Sequence, residues 1–142
     1  MSSLPAEFEQ FHWMVDMVQH VDIGLVVLDR DFTVHVWNGF MTHHSGKQAH
    51  EVIGKNLFEI FPEISREWFI AKSKPVFELE CRSFLIWRQR PYLFKCRNVR
   101  PITQQAPFMY QNVTLNPMVS TRGHVDYLFM AVEDATAEAM AE

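Results

Sequence analysis

Asp22-Ile-Gly-Leu-Val-Val-Leu-Asp-Arg-Asp-Phe-Thr-Val-His-Val-Trp-Asn38 is the stretch from which the fold is read. Gly24 to Leu28 is uniformly apolar, and Phe32 to Trp37 alternates, with Thr33 and His35 offset from Val34 and Val36. Between them, Asp29-Arg30-Asp31 is turn chemistry, because short Asp side chains hydrogen-bond nearby backbone. Two β-like runs joined this way predict an antiparallel hairpin. Asn38 ends the second strand and can cap a helix that begins at Gly39-Phe40-Met41. Gly46, after Ser45, ends that helix, since glycine takes the left-handed conformation just past a helix end.

On the N-terminal side, residues 5–21 read as a helix with Glu7 and Glu9 near its positive end. Phe8, Phe11, Val15 and Val18 make one apolar stripe, and Met14, Met17 and Val21 a second. A surface helix needs only one stripe. Either the helix packs on its own domain and also meets another chain, or a single broad stripe is buried within the chain.

On the C-terminal side, short helical turns are expected at residues 48–52 and 56–61, closed by Gly54 and Pro62. A longer helix starts near Ser65, and Pro75 either kinks it or splits it. Strands are expected over residues 91–99, 108–115 and 124–132, separated by Pro101, Pro107 and Arg122-Gly123. The basic residues between Arg82 and Arg100 read as the solvated face of a sheet. The order predicts an α+β fold with one five-stranded antiparallel sheet, flanking short helices and an N-terminal amphipathic helix.

Bulk properties narrow the function. The 142 residues are 48% hydrophobic and 21% charged, which is a globular balance sufficient for one core. A net charge of −4 gives little support for nucleic acid binding. No apolar run approaches the roughly 20 residues that span a bilayer, and no signal peptide precedes the domain, so a cytoplasmic location without membrane insertion is expected. Cys81 and Cys96 fit no metal or redox spacing and read as reduced, partly buried thiols. His43, His44 and His50 lack partners at zinc spacing, so no metal site is assigned. With five Gly, no phosphate-cradling loop, no Gly-x-Ser-x-Gly and no His-Glu-x-x-His, the chain offers no catalytic constellation.

The order of elements and several separated motifs resemble the PAS (sensory box) family. The carriers are Asp22 to Phe32, then Val36-Trp-Asn-Gly-Phe40, Ser45-Gly46, Glu51-Val-Ile-Gly-Lys-Asn-Leu-Phe58 with Phe61-Pro62, and Glu133-Asp-Ala-Thr136. Trp37-Asn-Gly-Phe-Met41, Gln89-Arg-Pro-Tyr-Leu-Phe94, Met109-Tyr-Gln-Asn112 and Thr114 are similar to the PAS domains that precede bacterial diguanylate cyclase (GGDEF) modules; histidine kinases use similar input domains.

The resemblance implies a helix over residues 1–21 for dimerisation, a sensory domain over 22–134 and a linker from 135 to an output module. It implies a small-molecule pocket walled by Phe40, Met41, Leu57, Trp68, Phe69, Lys72, Tyr92, Phe94, Tyr110 and Met130. The homodimer interface would comprise Phe8, Phe11, Met14, Val15 and Val18, and Asp134 and Thr136 would form the signal junction. The cofactor is unknown. Flavin is disfavoured because neither cysteine sits in an Asn-Cys-Arg run, and haem held by His44 or His43 is an alternative. A ligand-free dimerisation module is the other alternative.

Overall fold

The structure, a computed structural model, describes residues 6–96 and 107–141. The expected hairpin forms from β1 (Gly24–Asp29) and β2 (Val34–Trp37), paired antiparallel. Its turn is built by the Asp29 carboxylate, which accepts from the amides of Asp31 at 2.9 Å and Thr33 at 3.0 Å. Phe32 lies in this turn at φ 66°, a left-handed conformation that costs an L-residue about 1–2 kcal/mol. Its ring meets Phe58, Phe69 and Phe77 at 5.3–6.2 Å, and burial of that size, about 1.5–3 kcal/mol, offsets the strain.

The N-terminal helix α1 spans Ala6–His20. Three short helices come after the hairpin, α2 (Gly39–Ser45), α3 (Ala49–Val52) and α4 (Leu57–Ile60), and then the long α5 (Arg66–Leu79). The side chains of Asn38, Asn56 and Ser65 cap α2, α4 and α5, each contribution being about 1 kcal/mol. Gly46 closes α2 at φ 77°, as expected of a left-handed cap. Pro75 does not split α5, which runs through it as one helix; the Pro75 carbonyl accepts from the amides of both Glu80 and Cys81 at the helix end.

The remaining strands are β3 (Ser83–Leu85), β4 (Gln111–Val119) and β5 (Val125–Asp134), and a short helix α6 (Thr136–Met140) ends the described chain. They complete a five-stranded antiparallel sheet of order β2-β1-β5-β4-β3. One strand departs from expectation. Residues 91–96 form no strand, residues 97–99 lie outside the described residues, and the edge position belongs to Ser83–Leu85. The reason is chemical: the backbone groups of Leu93 and Phe94 are bonded to a side chain and not to a neighbouring strand. The Gln111 side chain holds this segment instead, its Oε1 accepting from the amides of Leu93 at 3.0 Å and Phe94 at 3.1 Å, and its Nε2 donating to the Phe94 carbonyl at 2.7 Å. Arg88 and Arg90 accordingly sit in the turns after β3 and not on a sheet face.

Alternation along the strands gives the sheet two different faces. Val26, Leu28, Val113, Leu115, Leu128, Met130 and Val132 point to the inner face, each at most 2% exposed, beneath the helices that come after the hairpin. Leu25, Val27, Phe129 and Ala131 lie on the other face and are half-buried.

Candidate functional site

Asn38 joins the two faces. Its Oδ1 accepts from the amides of Leu25 at 3.0 Å and Met41 at 3.4 Å, while Nδ2 donates to the carbonyls of Val18 at 2.7 Å and Ile23 at 2.9 Å. One fully buried amide therefore caps α2, ties β1 and holds the end of α1. The next residue has to be glycine, because a Cβ on Gly39 would run into the Gln19 carbonyl oxygen.

Beyond that anchor α1 is bare. It contains no buried residue, so a broad stripe buried within the chain does not describe it. Phe8, Phe11 and Met14 are 59%, 66% and 56% exposed, Val15 is exposed and Val18 half-buried. Phe11, Met14, Val15 and Val18 face Leu25, Val27 and Phe129 of the outer sheet across an apolar groove of about 520 Å³. At its edge, His35 Nε2 lies 2.8 Å from Asp29 Oδ2. Partial burial pushes the Asp29 carboxyl up, but the His35 contact and the Thr33 and Asp31 amides outweigh it and hold it below its ordinary value.

The ten residues assigned to a pocket wall separate into two groups. Phe40, Met41, Leu57, Phe69, Phe94 and Met130 are at most 6% exposed and pack in the core, where Phe94 lies 4.9 Å from Phe61 and 5.8 Å from Trp37. Trp68, Lys72, Tyr92 and Tyr110 are half-buried at its rim. Tyr92 and Phe94 stand on the loop held by Gln111, not on a strand, and Tyr110 immediately precedes β4. Phe108 bridges the two tyrosines at 4.8 and 4.9 Å. Gln111 entered the sequence reading only within Met109-Tyr-Gln-Asn112 and was given no role of its own. The available signal was a polar residue in phase with the inward Val113 and Leu115.

His44 is buried against the Phe40 ring at 4.2 Å, and His43 lies 5.0 Å from it. Both border a cleft of about 460 Å³ that also includes Gln19, His20 and Asp22. Val21 and Phe40 complete a wall of mixed polarity. Among the described residues, no three His, Cys, Asp or Glu side chains are grouped to hold a metal ion. Cys81 is exposed; Cys96 is buried, and burial raises its thiol pKa to about 12.

The last strand ends in a tightly bonded junction. Asp134 Oδ1 accepts from the Thr136 amide at 2.9 Å, and Thr136 Oγ1 accepts from the Tyr110 amide at 3.0 Å. The Ala135 amide donates to the Tyr110 carbonyl at 2.8 Å. Thr136 is fully buried, so the start of α6 is fixed to the start of β4.

This sheet and its covering helices are those of a PAS domain. The PAS fold family matches residues 14–135, and the chain belongs to it. PAS domains are sensory rather than catalytic modules. Solved structures share the fold. A sensory box sensor histidine kinase from Vibrio cholerae is 22% identical, with 91% of this chain and 94% of that chain covered and a TM-score of 0.63. The PAS domain of an HTR-like protein from Haloarcula marismortui is 18% identical, with 89% and 98% covered and a TM-score of 0.62. The PAS domain of the RpfR quorum-sensing receptor from Cronobacter turicensis, in complex with C12:0, is 16% identical, with 82% and 97% covered and a TM-score of 0.53. No curated protein matches significantly. No described helix is long and apolar enough to cross a membrane.

Proposed function

We propose that this chain is the input module of a signalling protein: residues 22–134 read a small molecule, two copies pair through α1, and α6 passes the state to an output module. The observation that carries this is the bare apolar α1 beside an apolar sheet face. A soluble helix with Phe8, Phe11, Trp13, Met14 and Met17 each more than half exposed calls for a partner. A second copy, with Phe8, Phe11, Met14, Val15 and Val18 as the interface, covers both the helix and the groove, and symmetric pairing is the commonest association of identical chains. The junction of Asp134 and Thr136 gives α6 a fixed departure from β4. On the resemblance of residues 37–41 and 89–94, the output module is a diguanylate cyclase.

Light scattering tests the pairing. The wild-type domain should have the mass of a dimer, and Phe11→Asp/Val15→Asp that of a monomer with an unchanged circular dichroism spectrum. A wild-type monomer, or a double variant that remains dimeric, overturns the interface.

The close packing of six assigned pocket residues favours a second reading, in which the interior is simply core and the domain is a dimerisation spacer. Native mass spectrometry of protein taken directly from cells separates the two. A retained small molecule supports the sensor. An apo dimer that also fails to bind in ligand screens supports the spacer.

A further inference from the structure

At the rim of the inner face the structure holds a cleft whose chemistry is independent of the packed interior. Trp68 and Lys72 are four residues apart on α5 and therefore share one face of it. Opposite them the chain leaves β3 at Leu85 and turns sharply, the amides of Gln89 and Arg90 both donating to the Ile86 carbonyl at 3.0 Å. This turn swings Arg90 back over α5, with its guanidinium carbon 3.9 Å from the centre of the Trp68 ring. Trp68, Lys72, Leu85, Ile86, Gln89 and Arg90 enclose about 410 Å³.

Two cations thus line one concave site, and neither forms an ion pair among the described residues, where the pairs are His20 with Asp16 and His35 with Asp29. Residues 97–106 contain no Asp or Glu that could supply one. The Arg90 Nε is buried without a hydrogen-bond partner. The indole fixes the guanidinium plane, so little side-chain entropy remains to be lost when its fork meets an anion. Guanidinium forks bind carboxylates through two parallel hydrogen bonds, and an ammonium adds a point charge. The volume lies within the range of small-molecule sites and far exceeds the roughly 30 Å³ of one water. Trp68, Leu85 and Ile86 supply apolar wall.

We propose that this cleft binds a small organic acid, its carboxylate on Arg90 and Lys72 and its apolar body against Trp68, Leu85 and Ile86, with Gln89 as a polar contact at the mouth. As the ligand site of a sensor it rests on the sensory reading above. The test measures binding alone, so loss of the dimer and loss of the site are separate results.

Phenylacetate, its neutral analogue phenylacetamide, and inorganic phosphate are titrated into ¹⁵N-labelled protein, following the Trp68 indole N–H (assigned with Trp68→Phe) and the amides of residues 86–90. The expected result is saturable shifts there with phenylacetate and none with phenylacetamide. Arg90→Gln and Lys72→Met should each weaken binding about ten-fold while leaving the rest of the spectrum unchanged. Both side chains lie at the rim, so neither substitution opens the core. The proposal is overturned by absence of saturation up to roughly 10 mM, by shifts confined to α1 or the core, by binding indifferent to both substitutions, or by a response to phosphate alone.

Discussion

The Asn38 side chain donates to the carbonyl of Val18 at 2.7 Å, joining the first strand pair to a helix that ended before that pair began. The same amide serves Ile23, Leu25 and Met41, so its removal strands several buried backbone groups at once. Asn38→Ala should cost about 3 kcal/mol, or roughly 10 °C in Tm for a domain of this size. Asn38→Asp should be no better, because it sets a carboxylate oxygen against the carbonyls of Val18 and Ile23. Calorimetry of the three proteins checks this; an alanine variant within about 1 kcal/mol of wild type would mean that α1 is not held there.

The two thiols should differ sharply towards a thiol-reactive reagent at pH 8. Cys81 is exposed and should react as a free cysteine. Burial raises Cys96 to about 12, so its thiolate is on the order of one part in 10⁴ at that pH. One equivalent should react rapidly in the native protein and a second only on unfolding. Two equivalents in a single fast phase would contradict the burial of Cys96.

Asp29 predicts an acid limb in the stability profile. Its folded pKa lies below the ordinary value, so it stabilises the fold fully above the unfolded pKa near 4. That contribution is lost as the pH falls through the lower, folded value. Urea midpoints for wild type and Asp29→Asn should therefore differ most above about pH 4 and converge below it. A difference that is constant from neutral to acid pH would assign the effect of the substitution to hydrogen-bond geometry and not to charge.

The parts of the fold legible in the sequence were those specified within a few residues. Asn38, Asn56 and Ser65 announce their helices, Gly46 ends one, and Asp29-Arg30-Asp31 turns the hairpin, because caps and turns are local hydrogen-bond problems. The third strand was misplaced for the opposite reason. Ser83–Leu85 is a strand only because Leu115, Thr114 and Val113 lie beside it, and no local pattern records that pairing. Tyr92, Leu93 and Phe94 have strand-like side chains, yet Gln111, seventeen or more positions later, claims their backbone groups. In the candidate site, resemblance supplied Trp68 and Lys72. Arg90 lies in the resembling stretch Gln89–Phe94 but was given no site role there, because its position over Trp68 depends on a turn that returns to the helix. Whether Pro75 divides α5 was likewise undecidable locally: proline removes one helical hydrogen bond, and the helix continues through it with Phe69 and Ser73 buried before it and Val76 and Phe77 after it.

The pairing of Gly24 with Val132 carries a last consequence. The strand by which the chain enters the sheet and the strand by which it leaves are immediate neighbours, and entrance and exit lie at the same end. The whole domain therefore hangs to one side of the path between its N-terminal and C-terminal flanks, as a bead sits on a string without interrupting it. Such a loop can be spliced into a longer polypeptide, or removed from it, while the flanking segments keep nearly the same separation.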